Sequence, residues 1–267
     1  MGLLRRRWLQ LLASGLVLLF LLERTLVATG NPNFVPSVIL LGAFLVPLTF
    51  LTYLYERLPN WDVPPPVVAV CFLWGGVLGT VVAGTVEYDV ARALGVLPKL
   101  AIGLIEESAK LLVPLVFYFI GRHRSEVAGI IIGVSTAAGF AGLETMGYGF
   151  VSLLQSKDNL GVLDEVLLVR GISSPAGHLA WTGLVCAVLW RERVKAGRPI
   201  LNRAVVGAFV AAVVLHALWD TVASIKTTNF VEFLGVELVS LLVALVSLVL
   251  LIRRVREARR AGGDRVA

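Results

Sequence analysis

Glu106, Glu107 and Lys110 stand together in PKLAIGLIEESAKLLVPLVFYFIG, a stretch from Pro98 to Gly121 that is otherwise apolar enough to cross a bilayer. A charge at the hydrocarbon centre costs ~3 kcal/mol on insertion scales, so such groups turn toward protein or a wet cavity and mark a working site. On a helix Lys110 follows the two glutamates by three and four residues, shares their face, and can neutralise one of them. A carboxylate pair beside one cation can divide into a base and an acid. Other apolar stretches carry matching groups: Glu144 in GFAGLETMGYGF, His178 in PAGHLAWTG, and His216 with Asp220 in HALWD, four residues apart on one face. Two imidazoles and an aspartate offer either metal ligands or donors for a developing oxyanion. Both uses lead to attack of an activated water on a carbonyl. A covalent route lacks support, because there is no Gly-x-Ser-x-Gly elbow and Ser108, Ser173, Ser174 and Thr182 have no special context. No His-Glu-x-x-His run is present either.

These groups must be positioned by membrane helices. Hydrophobic residues make up 57% of the chain, charged residues 16%, and the mean hydropathy is +0.85, which describes a polytopic membrane protein. The apolar runs predict an all-α helical bundle of about eight transmembrane helices, at 8–28, 36–55, 67–86, 98–121, 127–154, 166–190, 204–225 and 231–252. One domain over 1–267 follows, with the chemistry-bearing core at about 98–225 and peripheral helices at 8–86 and 231–252. The arginines at 5–7 before an apolar run resemble a secretory signal, but no clean small-x-small site follows near 27–30, so a retained first helix is expected. Pro47 predicts a kink, and Pro175 with Gly177 weakens the turn before His178. Gly75 with Gly79, and Gly129 with Gly133, have the spacing that lets helices approach closely. Glu87, Asp89 and Arg92 are expected in an exterior loop, 155–165 in another, His123 as a solvated loop residue, 191–203 as a basic loop, and the tail from 253 as frayed. Cys71 and Cys186 fall inside spans, so no disulfide framework is indicated.

The formal charge of +6 is gathered in short segments between apolar runs, which excludes a nucleic-acid partner and sets orientation instead. With a cytoplasmic N-terminus, 17 lysines and arginines fall inside and 5 outside, while Lys110 and Arg170 lie in membrane. Both termini are therefore expected in the cytoplasm. Counting from the outer helix ends at 1.5 Å per residue places Glu106 and Glu107 roughly 12 to 14 Å deep, Glu144, His216 and Asp220 at roughly 8 to 15 Å, and His178 a little deeper, near mid-membrane. Four helices thus bring acids and imidazoles to one level in the outer half. Arg170 can serve there as counter-ion, substrate clamp or snorkelling residue.

EESAK at 106–110, FAGLE at 140–144, His178 in PAGHLAWTG and HALWD at 216–220 follow one another on successive helices. In that order they resemble the PrsW family of intramembrane proteases, relatives of the CAAX prenyl endopeptidases and bacteriocin-processing proteins. The resemblance covers about 98–225. It implies a multi-pass protein of the inner (plasma) membrane that cuts a membrane-anchored protein, of the anti-sigma-factor kind, on its extracytoplasmic side. It also implies Glu106 as the water-activating base, Glu107 as its partner, Lys110 as the group that sets their charge, and His178, His216 and Asp220 as metal ligands or oxyanion holders. Glu144 stands where the CAAX relatives have histidine, so their mechanism does not transfer directly. A zinc ion on His178, His216 and Glu144 or Asp220, and a glutamate mechanism with no cofactor, are both open at this point. Two other classes compete: an ion-coupled transporter, which should show paired broken helices in inverted halves, and a non-catalytic scaffold that binds membrane peptides.

Overall fold

The computed structural model describes residues 6–58 and 62–263; Arg5 of the basic N-terminus and the last four residues of the tail lie outside the described residues. Those described form α1 (Arg7–Thr29), α2 (Val35–Arg57), α3 (Pro65–Leu94), α4 (Lys99–Lys110), α5 (Leu112–Ile120), α6 (Glu126–Gln155), α7 (Leu160–Ser173), α8 (His178–Ala196), α9 (Arg203–Ala223) and α10 (Phe230–Gly263). Short 3₁₀ turns at Pro32–Phe34 and Ser174–Ala176 join α1 to α2 and α7 to α8. No strand occurs among the described residues. Among the described residues seven helical segments are long and apolar enough to cross a membrane, with α7, its 3₁₀ turn and α8 forming one of them.

The expected fourth span, 98–121, departs from a continuous helix. It breaks at Leu111 into α4 and α5, neither long enough to cross alone. Pro114 explains the position, since it lacks an N–H and its ring excludes the carbonyl four residues back, that of Lys110. The Leu111 N–H turns to the Ser108 carbonyl instead, at 3.1 Å. The helix ends also differ from expectation. α3 runs on to Leu94 and stops at Gly95, whose φ of 69° suits glycine, so Glu87, Asp89 and Arg92 are helical and not in a loop. α7 starts at Leu160, where the Asn159 side chain accepts from the Gly161 N–H at 3.0 Å. α8 takes in the first part of the expected basic loop, and the expected frayed tail continues α10 as far as Gly263. Hydropathy marks where a helix leaves lipid, whereas these helices continue as far as their caps allow.

α6 is the hub. Its most apolar window is 89% buried, against 11% for α1, and it packs against α2, α3 and α8. Between helices in lipid there is little hydrophobic drive, so close packing of small residues holds them together. Gly129 and Gly133 lie against Trp190 and Cys186 of α8, and Gly139 against the Phe72 carbonyl and Gly76 of α3, where an added Cβ would collide with backbone. Gly75 and Gly79 meet Thr136 and Phe140 from the other side. Leu16, Val17, Phe20 and Leu21 of α1, by contrast, expose over half their surface, as a lipid-facing helix should. Cys71 and Cys186 are buried free thiols. His123 is buried, not solvated: its Nδ1 contacts the Asp62 carbonyl, and its own carbonyl accepts from Trp190 Nε1 at 2.7 Å.

Candidate active site

The break after Lys110 leaves the C-terminal turn of α4 facing inward. Gly103 allows this, because an added Cβ there would come within 2.8 Å of the Val213 carbonyl oxygen of α9. Glu106, Glu107 and Lys110 are consequently 6%, 1% and 0% exposed, burial that charges tolerate only when paired. Lys110 Nζ lies 2.7 Å from Glu107 Oε1, 3.2 Å from Glu106 Oε2 and 2.7 Å from His178 Nδ1. The same ammonium sits 4.3 Å above the Phe140 ring, a cation–π contact.

His178 owes its position to the second helix break. As the first residue of α8, past the 3₁₀ turn, it reaches across to α4 and α6. Its Nε2 lies 2.9 Å from Glu144 Oε2, and Glu144 pairs in turn with Arg170 Nη2 at 2.8 Å. Arg170 is thus the counter-ion of Glu144; it also lies over the Tyr148 ring and donates from Nε to Thr145 Oγ1 at 3.3 Å. A lysine ammonium can only donate, so the Lys110 contact makes Nδ1 of His178 the acceptor and puts the ring N–H at Nε2, the atom that faces Glu144.

His216 comes from α9. Its Nδ1 lies 3.0 Å from Glu107 Oε1, and its Nε2 lies 3.5 Å from Glu106 Oε2 and 3.8 Å from Asp220 Oδ2. Donation from Nδ1–H to Glu107 leaves the Nε2 lone pair directed at Glu106. Glu107 is fully engaged, because Thr182 Oγ1 also donates to its Oε2 at 3.2 Å. Trp181 stacks on His216 with ring centroids 4.7 Å apart and planes at 24°, and donates from Nε1 to Ser247 Oγ of α10 at 2.9 Å.

Glu106, His178 and His216 each bring a ligand atom to within 4.8 Å of one another. Glu144 and Asp220, expected alongside the histidines as metal ligands, lie outside this trio: Glu144 grips His178, and Asp220 stands at the edge of His216. The trio fits a cation on two counts. Buried Glu106 Oε2 takes no hydrogen bond although Lys110 is near, and Nε2 of His216 faces the same oxygen at 3.5 Å. Two imidazoles and a carboxylate are also a donor set that zinc accepts, with a position left over.

A cavity of about 570 Å³ opens onto Glu106 between α3 and α6. Glu87, Thr80, Ala83 and Gly84 line its α3 wall; Phe140, Glu144, Gly147 and Tyr148 line the α6 wall. The sequence assigned Glu87 to an exterior loop because the apolar run stops at Val86. Its spacing of three and seven residues from Gly84 and Thr80, which puts all three on one face, was the available signal. Thr182, four residues past His178, and Trp181, three past it, carried the same kind of signal.

The family model for PrsW family intramembrane metalloproteases matches residues 63–251. No curated protein and no solved structure matches the chain.

Proposed function

We propose, because this chain belongs to the PrsW family of intramembrane metalloproteases, that it hydrolyses a peptide bond of a membrane-anchored protein near the extracytoplasmic side of the bilayer. The observation that carries this reading is the convergence of Glu106, His178 and His216, from three helices, to within 4.8 Å of one another, with Glu106 also lining a cavity. Packing alone does not call for two imidazoles around a carboxylate whose buried Oε2 accepts no hydrogen bond.

Eight crossings, with α4 and α5 counted together and both termini cytoplasmic, suit the basic loops and the inner (plasma) membrane. In that arrangement a green fluorescent fusion at the C-terminus should fluoresce and an alkaline phosphatase fusion there should be silent. The reverse pattern refutes the orientation. A protein of the anti-sigma-factor kind, with one span and an exterior domain, would meet the site at the depth of Glu106.

Glu106 is the member of the trio that lines the cavity, and its carboxylate takes a proton from the attacking water. As the water oxygen bonds to the carbonyl carbon and the C–N bond breaks, that proton passes to the leaving nitrogen. Glu107 orients His216 through Nδ1, and Glu144 orients His178 through Nε2, so each imidazole has its own carboxylate. Lys110 balances the glutamates and keeps the buried site intact. Glu106, His178 and His216 would hold a divalent ion once Nδ1 of His178 gave up its contact with Lys110, and the ion would supply Lewis acidity for the scissile carbonyl.

The test is to map new protein N-termini by mass spectrometry in membranes that contain the wild-type protein or Glu106→Gln at equal level. New termini in or beside single membrane spans should appear with the wild type and vanish with the variant. Identical sets in both would refute the activity.

A further inference from the structure

α3 and α6 touch where both are small and then separate. Their closest approach is at Gly75, Gly76 and Gly79 against Thr136, Gly139 and Phe140. Beyond it, residues 80–87 and 143–151 line the cavity, and a Cβ added to Gly84 or Gly147 would meet nothing within 4 Å. The helices therefore form a cleft walled by small and apolar side chains, with Glu106 on its inner wall and Tyr148 and Val151 about half exposed at its rim.

The acids along this cleft are not equally compensated. Glu106 pairs with Lys110, and Glu144 with Arg170. Glu87 has no cation within ion-pair distance among the described residues, and its buried Oε1 takes no hydrogen bond. Around the whole site the carboxylates of Glu106, Glu107, Glu144 and Asp220 each have a cation near them, Lys110, Arg170 or Lys99. Glu87, at the end of the cleft away from the helix crossing, is the carboxylate left without a partner. Leaving a buried acceptor unmet is costly, and a ligand that brings a cation to it recovers that cost.

We propose that this cleft receives the substrate as an extended segment and that Glu87 selects a lysine or arginine of that segment close to the scissile bond. The assignment rests on the protease reading above and adds the class of sequence that is cut. The lining of α3 from Val77 to Glu87 spans about 15 Å at the helical rise, which an extended chain covers in roughly four to five residues. The basic residue therefore lies within about four residues of the cut, on the side that occupies the outer end of the cleft.

The experiment sorts the Glu106-dependent N-termini by flanking sequence. In wild-type membranes lysine or arginine should be enriched about tenfold at one fixed position near the cut, the effect of one desolvated charge-assisted hydrogen bond. Glu87→Gln should abolish that enrichment and Glu87→Asp should retain it. Gly84→Leu, which fills open space, should lower the number of cut sites while the protein's thermal stability stays unchanged. No enrichment in the wild type, or the same enrichment in Glu87→Gln, overturns the proposal. Absence of any Glu106-dependent terminus overturns the protease reading itself, so the two failures are distinguishable, and the wild-type result decides even if a variant fails to fold.

Discussion

Replacing Lys110 by methionine removes the only cation in contact with both Glu106 and Glu107 among the described residues, at a position with no exposure to solvent. The packing volume is nearly kept, so the loss is electrostatic: two buried carboxylates are left without their common cation and the Nδ1 of His178 without its donor. Breaking a buried pair from one side costs about 3 to 5 kcal/mol. Glu107→Gln should cost a similar amount, since it strands the ammonium and weakens the hold on His216 and Thr182. The double variant Lys110→Met with Glu107→Gln removes one charge of each sign and leaves the formal charge of the site as it was. Its cost should therefore fall short of the sum by about 2 to 3 kcal/mol, the upper part of the range for residues in direct contact. Thermal unfolding of purified protein in detergent reads this directly. At 2 to 4 °C per kcal/mol for a chain of this size, each single variant should melt roughly 6 to 20 °C below wild type. Additive losses, or single variants as stable as wild type, would show that the three charges are not one buried network.

Metal analysis of protein purified without chelator should find about one equivalent of zinc, falling at least tenfold in His216→Gln because Nε2 is the ring atom that Glu107 leaves free; wild-type protein that is active with no bound metal contradicts this. Gly139→Ala should lose about 1 to 3 kcal/mol in the same unfolding assay, since its methyl group would press on the Phe72 carbonyl at the α3–α6 crossing; an unchanged melting temperature would mean that the two backbones are not in contact. Ser247→Ala leaves the buried Trp181 Nε1 without an acceptor at about 1 to 3 kcal/mol and loosens the ring stacked on His216, so both stability and cleavage should fall although Ser247 touches no reacting group. Full activity in Ser247→Ala would remove α10 from the support of the site.

Much of this arrangement was legible from residues that lipid forbids. Glu106, Glu107, Lys110, Glu144, His178 and His216 each stand out in an apolar run, and the structure brings all six into one contiguous set of contacts. The helical character and most of the spans follow from hydropathy for the same reason. Less visible was whatever depends on backbone termination. Pro114 divides the expected fourth span at Leu111, and the 3₁₀ turn at Ser174–Ala176 makes His178 the start of a helix rather than its middle. Glu87 was hidden because an apolar run and a helix need not end together: α3 continues eight residues past Val86. The partition of carboxylates, Glu107 to His216 and Glu144 to His178, could not be read from spacing at all, because it is decided by where α4, α6, α8 and α9 cross. His123 shows the same limit, since its burial depends on Asp62 and Trp190, distant in sequence.

The central claim is that groups on α4, α8 and α9 act as one hydrolytic site. The most direct measurement is cleavage, by purified protein in lipid vesicles, of a membrane protein identified through its Glu106-dependent N-terminus. Wild type is compared with Glu106→Gln, His178→Gln, His216→Gln and the triple variant. Residues that work as a unit lose as much singly as together, so each single variant should fall to the same residual rate as the triple. Appreciable cleavage by either histidine variant, or losses that multiply from one substitution to the next, would contradict the account.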